Sequence, residues 1–128
     1  MRAGGKRALG AAMLAPTVLA AALAGCGGGG TARTVPGANP GRGAELISYD
    51  GCGSCHQISG IDGADGRVGP PLDGFGGRRY IVGRLTNTPA HLEQWIEDPQ
   101  RFLPRTIMPD LGVKPTDARD MAAYLLAH

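Results

Sequence analysis

Aromatic side chains are scarce in this chain of 128 residues: two Phe, one Trp and three Tyr, 5% of the total, stand against 22 glycines and ten prolines. Large rings supply much of the buried area of a small core, so a core built from these side chains alone is thin for its length. Cysteine is scarcer still. Of the three, Cys26 lies far from Cys52 and Cys55, which leaves no second cysteine pair for a four-ligand metal site. No segment sustains the alternation of apolar and polar residues that marks a half-buried strand, which argues against a sheet protein. Neither sign of charge dominates, with 13 basic and 11 acidic side chains, and three of the basic ones (Arg2, Lys6, Arg7) sit at the extreme N-terminus. Without residues 1–25, ten basic side chains face 11 acidic ones, and nothing points to nucleic acid as a partner.

Those N-terminal charges precede an uncharged apolar run over 8–24, the arrangement of an export signal. The run ends in Leu-Ala-Gly-Cys (23–26), which resembles the lipobox of bacterial lipoproteins. The resemblance implies a signal peptide over 1–25, cleavage before Cys26 and lipidation of its thiol. An uncleaved membrane anchor and release of a soluble protein are the alternatives; the run is short for a span and broken by Pro16. All three readings place the domain outside the cytoplasm.

Residues 26–40 are then a lipidated cysteine and a Gly/Pro-rich tether, expected to be unstructured, with a mean reach of roughly 20 Å for fourteen flexible residues. The folded domain is expected over 41–128. Within it, 42–51 is a short helix closed by Gly51. Residues 60–77 are too rich in Gly, Asp and Pro to be regular. Thr88 and Pro89 open a second helix that Pro99 ends, with Leu92, Trp95 and Ile96 on one face. The last helix spans 116–128, capped by Thr116 or Asp117, with Ala118, Met121, Ala122 and Leu125 on a stripe. The fold class is all-α, short helices joined by long irregular loops.

The chemistry is concentrated in Cys-Gly-Ser-Cys-His, 52–56. A disulfide at this spacing is strained, a redox pair wants a strand-to-helix setting, and a structural zinc site needs two further ligands. Covalent haem attachment fits best: Cys52 and Cys55 reach the two vinyl groups from one turn, and His56 lies under the iron as its proximal ligand. A large apolar macrocycle also fills the thin core. Candidates for the sixth ligand are His91, Met108, Met121 and His128. Met108 is preferred, because Pro109 and Gly112 mark a rigid loop able to present a thioether from the opposite side. Met121 falls on the apolar stripe of the last helix, His91 in the first turn of a capped helix, and His128 at a terminus expected to fray.

With Cys-Gly-Ser-Cys-His, Gly-Pro-Pro-Leu (69–72), Met-Pro (108–109) and the C-terminal Met-Ala-Ala-Tyr-Leu-Leu in this order, 41–128 resembles a class I c-type cytochrome. The resemblance implies the cytochrome c fold around one haem c, and a carbonyl of Pro70 that accepts the Nδ1–H of His56. Stiffening of the loop is the alternative role for the two prolines. It implies a close crossing of the terminal helices at Gly43 and Tyr124, displaced where Gly51 adds a residue before Cys52. Trp95 is implied to donate its indole N–H near the haem propionates, with plain core packing as the alternative.

The segments 85–101 and 108–112 are especially similar to cytochrome c domains associated with haem-copper oxidases; the copper-binding domain of such fusions is absent. The implied function is a membrane-tethered, His/Met-ligated monohaem cytochrome c that carries single electrons in a respiratory chain. It would work on the periplasmic side of a bacterial envelope, between a donor complex and an acceptor such as a terminal oxidase. No catalytic residue is expected. Arg78, Arg79 and Arg84 are read as a solvated face or, alternatively, as propionate partners or a docking patch, and the acidic stretch 62–73 as a solvated loop. A five-coordinate haem enzyme or gas-binding protein, and a fixed electron relay in a larger complex, are the competing functions.

Overall fold

A computed structural model describes Met1 and residues 33–128. The expected signal peptide, Cys26 and the first part of the expected tether lie outside the described residues. Among the described residues four helices carry the fold: α1 (Pro40–Tyr49), α2 (Pro89–Glu97), α3 (Pro99–Phe102) and α4 (Pro115–Ala127). Single 3-10 turns at Cys52–Ser54 and Phe75–Gly77 punctuate the loops. The expected all-α class holds, apart from a two-residue hairpin of β1 (Tyr80–Ile81) and β2 (Leu85–Thr86). Its turn takes Val82 and Gly83 at positive φ, which suits the twist of paired strands.

Proline at the first helical position starts every helix, where its missing N–H costs nothing. Asn39 caps α1, its side-chain oxygen accepting the Arg42 N–H at 3.0 Å, so this helix begins two residues before the expected 42. It ends at Tyr49, and Gly51, with φ +70°, carries the chain out in a left-handed conformation that costs glycine little. Thr88 caps α2 as expected, accepting from the N–H of His91 at 3.2 Å. The last helix starts at Pro115 rather than at 116 or 117, and its capping position is Lys114, which makes no side-chain cap bond.

Helix α4 is the centre of the fold. Residues 120–126 are all buried, because α1, α2 and the Phe75–Gly77 turn pack around it. The crossing with α1 is set by Gly43: a Cβ there would overlap the Asp120 carbonyl oxygen and lie 2.5 Å from its carbon, so only hydrogen lets the two backbones touch. The atoms nearest that position belong to Asp120 and Met121 rather than to Tyr124. The Tyr124 hydroxyl donates to the Ser59 carbonyl at 2.7 Å, and its ring stacks with His128 at 4.2 Å, which holds the terminus expected to fray. An ionic clamp ties the same crossing together. The Asp120 carboxylate accepts from the Asn39 N–H at 2.7 Å and the Arg42 guanidinium at 2.7 Å, while Arg42 also reaches Asp117 at 2.5 Å.

Residues 33–40 are not tether. Val35 is buried, and the Arg33 guanidinium donates to the carbonyls of Gly76 at 2.7 Å, Arg78 at 3.1 Å and Asn87. The Arg119 side chain donates to the Pro36 carbonyl, and Pro40 already belongs to α1. A strap over 33–39 therefore covers the outer side of α4, and the ordered domain extends at least eight residues beyond its expected start at 41.

Candidate haem site

The turn after α1 gathers three side chains within five residues. The N–H groups of Cys55 and His56 both donate to the Cys52 carbonyl, at 3.2 and 3.0 Å, which coils 52–56 tightly enough to bring Cys52, Cys55 and His56 to one cleft. The following loop folds back along this turn: Gly69 N–H donates to the Cys55 carbonyl and Leu72 N–H to that of Gln57, each at 2.8 Å. This pairing delivers the Pro70 carbonyl to within 2.7 Å of His56 Nδ1. With Nδ1–H donating there, Nε2 is left as the free lone pair of the imidazole. Gly69 lies flat under the ring; a Cβ would sit 2.6 Å from Nδ1 and 2.9 Å from Nε2.

The loop is fastened on its outer side too. Asp73 accepts the Ser59 N–H at 2.7 Å, and the Ser59 hydroxyl, followed by that N–H, holds its carboxyl below the usual range. Arg78 donates to the carbonyls of Pro71 and, at 3.3 Å, Asp73, with its guanidinium 5.2 Å from the Phe75 ring centre. Within the arginine group read as a solvated face, Arg78 is a structural fastener, whereas Arg79 and Arg84 are exposed.

Met108, half-buried, lines the same cleft as His56. Its N–H donates to Thr106 Oγ1 at 3.2 Å and its carbonyl accepts from Gln100 Nε2 at 2.8 Å. Trp95, Leu92 and Ile96 on α2, Ile47 on α1, and Met121 and Leu125 on α4 supply the apolar floor. Trp95 is buried at 7% exposure and lines both lobes of the cleft, as do Cys52, His56 and Met108. Two rival ligands are engaged elsewhere: His91 faces the hairpin, its Nδ1 2.8 Å from the Thr86 carbonyl, and His128 lies on Tyr124. Met121 lines the floor of the same cleft but is packed into the core at 1% exposure, whereas Met108 stands on a loop.

The arrangement suits a large apolar group with a central metal better than the other uses of a cysteine pair. Burial, helped by the charge of Asp50, pushes the Cys52 thiol up to about 11, whereas a redox pair works through a low-pKa thiolate. Among the described residues no cluster of three His, Cys, Asp or Glu side chains forms a zinc-type site. An apolar cleft lined by an imidazole with a free lone pair, a thioether and two cysteines is a cradle for haem. Gln100, Thr106 and the strap carry no periodic signal in the sequence; Pro99, expected only to end α2, also opens α3, and Asp98 before it is the capping signal that could have marked this element.

The family model described as "Cytochrome c" matches residues 41–128. Cytochrome c oxidase subunit 2 of Alkalihalophilus pseudofirmus is 35% identical over 89 residues, which cover 69% of this chain and 25% of that protein. Cytochrome c-550 of Nitrobacter winogradskyi is 31% identical, covering 60% of this chain and 80% of its own length. Cytochrome c2 of Rhodoplanes tepidamans is 34% identical, covering 64% and 87%. The chain thus spans a quarter of the oxidase subunit and most of the two small cytochromes, and no solved structure shows a significant match. Because the family match runs through the helices that build the cleft, and the cleft fits the group that the family carries, the chain belongs to the cytochrome c family: it is an electron-transfer protein with covalently attached haem c.

Proposed function

We propose that this cytochrome c is a membrane-tethered, single-haem carrier of electrons in a respiratory chain. Haem c supplies a one-electron iron couple when bound. The residues that hold it are Cys52 and Cys55 through thioether bonds, His56 through Nε2 and Met108 through its sulfur. One observation carries the reading: His56 and Met108 line the same apolar cleft, and the hydrogen bond from Nδ1 to Pro70 leaves Nε2 as the ligating atom. Each residue then has a defined task. Pro70 orients the imidazole and raises its basicity. The methionine sulfur favours the reduced state and, together with histidine, leaves no open position for a substrate. The floor of Leu92, Ile96, Met121 and Leu125 excludes water, and Trp95, which lines both lobes, would donate its indole N–H to the propionates.

The finer setting rests on the sequence. The leader over 1–25 and Cys26 support lipidation and anchoring on the periplasmic side of a bacterial membrane. No helix among the described residues is long and apolar enough to cross a membrane, and a lipid at Cys26 supplies the attachment. Similarity to a protein named as an oxidase subunit favours redox proteins as partners, a donor complex on one side and a terminal oxidase on the other. The same similarity favours a second reading, in which the domain is a fixed relay inside an oxidase complex. Carbon monoxide distinguishes a carrier from an open-site haem protein: the ferrous holoprotein is expected not to bind it at neutral pH, and prompt binding would sink the carrier reading. Lipidation is read from incorporation of labelled fatty acid, expected in the native chain and lost in Cys26→Ala. Copurification with stable partners after gentle membrane extraction favours the relay over the mobile carrier.

A further inference from the structure

We infer that Gln100 is a positioning residue for Met108, holding closed the loop that presents the thioether; the inference rests on Met108 binding iron. Residues 103–114 contain neither helix nor strand. Their internal ties are short-range, with Thr106 N–H donating to the Leu103 carbonyl at 2.9 Å and Gly112 N–H to the Asp110 carboxylate at 2.8 Å. Burial holds the loop poorly around the ligand, because Ile107 is 78% exposed and Leu111 49%. The Gln100 side chain spans eight residues to reach the carbonyl of Met108 itself, at 2.8 Å.

Gln100 is well placed to act as an anchor. It stands on α3, a single turn held by the Asp98 carboxylate, which accepts the Arg101 N–H at 3.0 Å, and by Pro99, one of the most deeply buried side chains. Both polar backbone groups of Met108 are therefore engaged, one by Thr106 within the loop and one by a rigid element outside it. Releasing the outer bond frees the loop to swing away without unfolding any helix.

The test is competition for the iron by imidazole in the ferric holoprotein. A competing ligand binds only when the loop is open, so its apparent affinity follows the open population. A hydrogen bond of ordinary strength changes such an equilibrium by a factor of about two to ten. Gln100→Ala is expected to bind imidazole about two- to tenfold more tightly than the native protein, while keeping the far-red absorption band of methionine-ligated ferric haem when imidazole is absent. Gln100→Glu keeps the shape of the side chain but offers no N–H donor at neutral pH, so it is expected to match or exceed the alanine variant. An unchanged affinity in both variants, or a change in Gln100→Ala alone, overturns the inference, since the second pattern belongs to packing. Absence of the far-red band from the native protein, or its survival in Met108→Ala, overturns the ligation reading and this inference together.

Discussion

Replacing Gly69 by alanine inserts one methyl group between the Gly-Pro-Pro-Leu loop and the His56 imidazole. The new carbon would lie 2.6 Å from Nδ1 and 2.9 Å from Nε2, about 1 Å inside ordinary contact. Gly69 has no positive φ, so alanine carries no backbone penalty there and the cost is steric. Either the ring or the loop must retreat. Overpacking of this kind costs about 1–3 kcal/mol, and separating Nδ1 from the Pro70 carbonyl removes a hydrogen bond of about 0.5–1.5 kcal/mol. The expected loss is about 2–4 kcal/mol, which lowers the midpoint of a domain of this size by roughly 10–30 °C. Thermal denaturation of the ferric holoprotein, followed by the helical signal, reads the shift. Gly77→Ala is the control: nothing lies within 4 Å of a Cβ there and no positive φ is required, so it should be neutral or stabilising by up to about 1 kcal/mol. A Gly69→Ala midpoint within the error of the native protein, with Gly77→Ala behaving as expected, refutes the claim that this glycine seats the imidazole.

Three further outcomes are expected. The Asn39 N–H and, after it, the Arg42 guanidinium hold the Asp120 carboxyl below the ordinary carboxylate range. The unfolded chain therefore binds more protons than the folded one in that window, so this stabilisation is present above about pH 4 and is lost as pH falls through the depressed folded value. Asp120→Asn should flatten the acid limb of a melting-temperature profile between about pH 2 and 5, and an unaltered limb would show that the clamp carries no linkage. Removal of the strap through Ala38 deletes the buried Val35 and uncovers the surface it packs on, a loss of about 1.5–3 kcal/mol visible as a lower denaturant midpoint; an unchanged midpoint contradicts its role in the fold. Lastly, haem-free protein made with Cys52→Ala and Cys55→Ala should lack a cooperative unfolding transition, because the cleft walls lose the group they pack against; native-like cooperative melting would refute this.

Local chemistry was the most readable part of the sequence. The Thr88–Pro89 helix start depends on neighbours a few residues apart and stands where expected, and the cysteine pair, its histidine and the Met-Pro loop, singled out on the same kind of local signal, line one cleft. Partners distant along the chain were harder to foresee. Gly43 was singled out for a close crossing, but its contact is the Asp120 backbone, because the register of α1 on α4 is set by the clamp from Asn39 and Arg42. Composition likewise assigned 33–39 to the tether, since one valine among small and polar residues gives no periodic signal. Its order comes from carbonyls on the Phe75–Gly77 turn and β2's flank, forty or more residues away, that need the Arg33 donors. Gln100 escaped notice for the same reason: a polar residue on a four-residue helix has no pattern to betray it.

The central proposal is that His56 and Met108, which line one cleft, both ligate the iron, and the ferric far-red spectrum of the holoprotein tests it most directly. The weak band of methionine sulfur on ferric haem is expected in the native protein and absent from Met108→Ala. A high-spin spectrum without that band in the native protein would contradict the account and point to an open iron site.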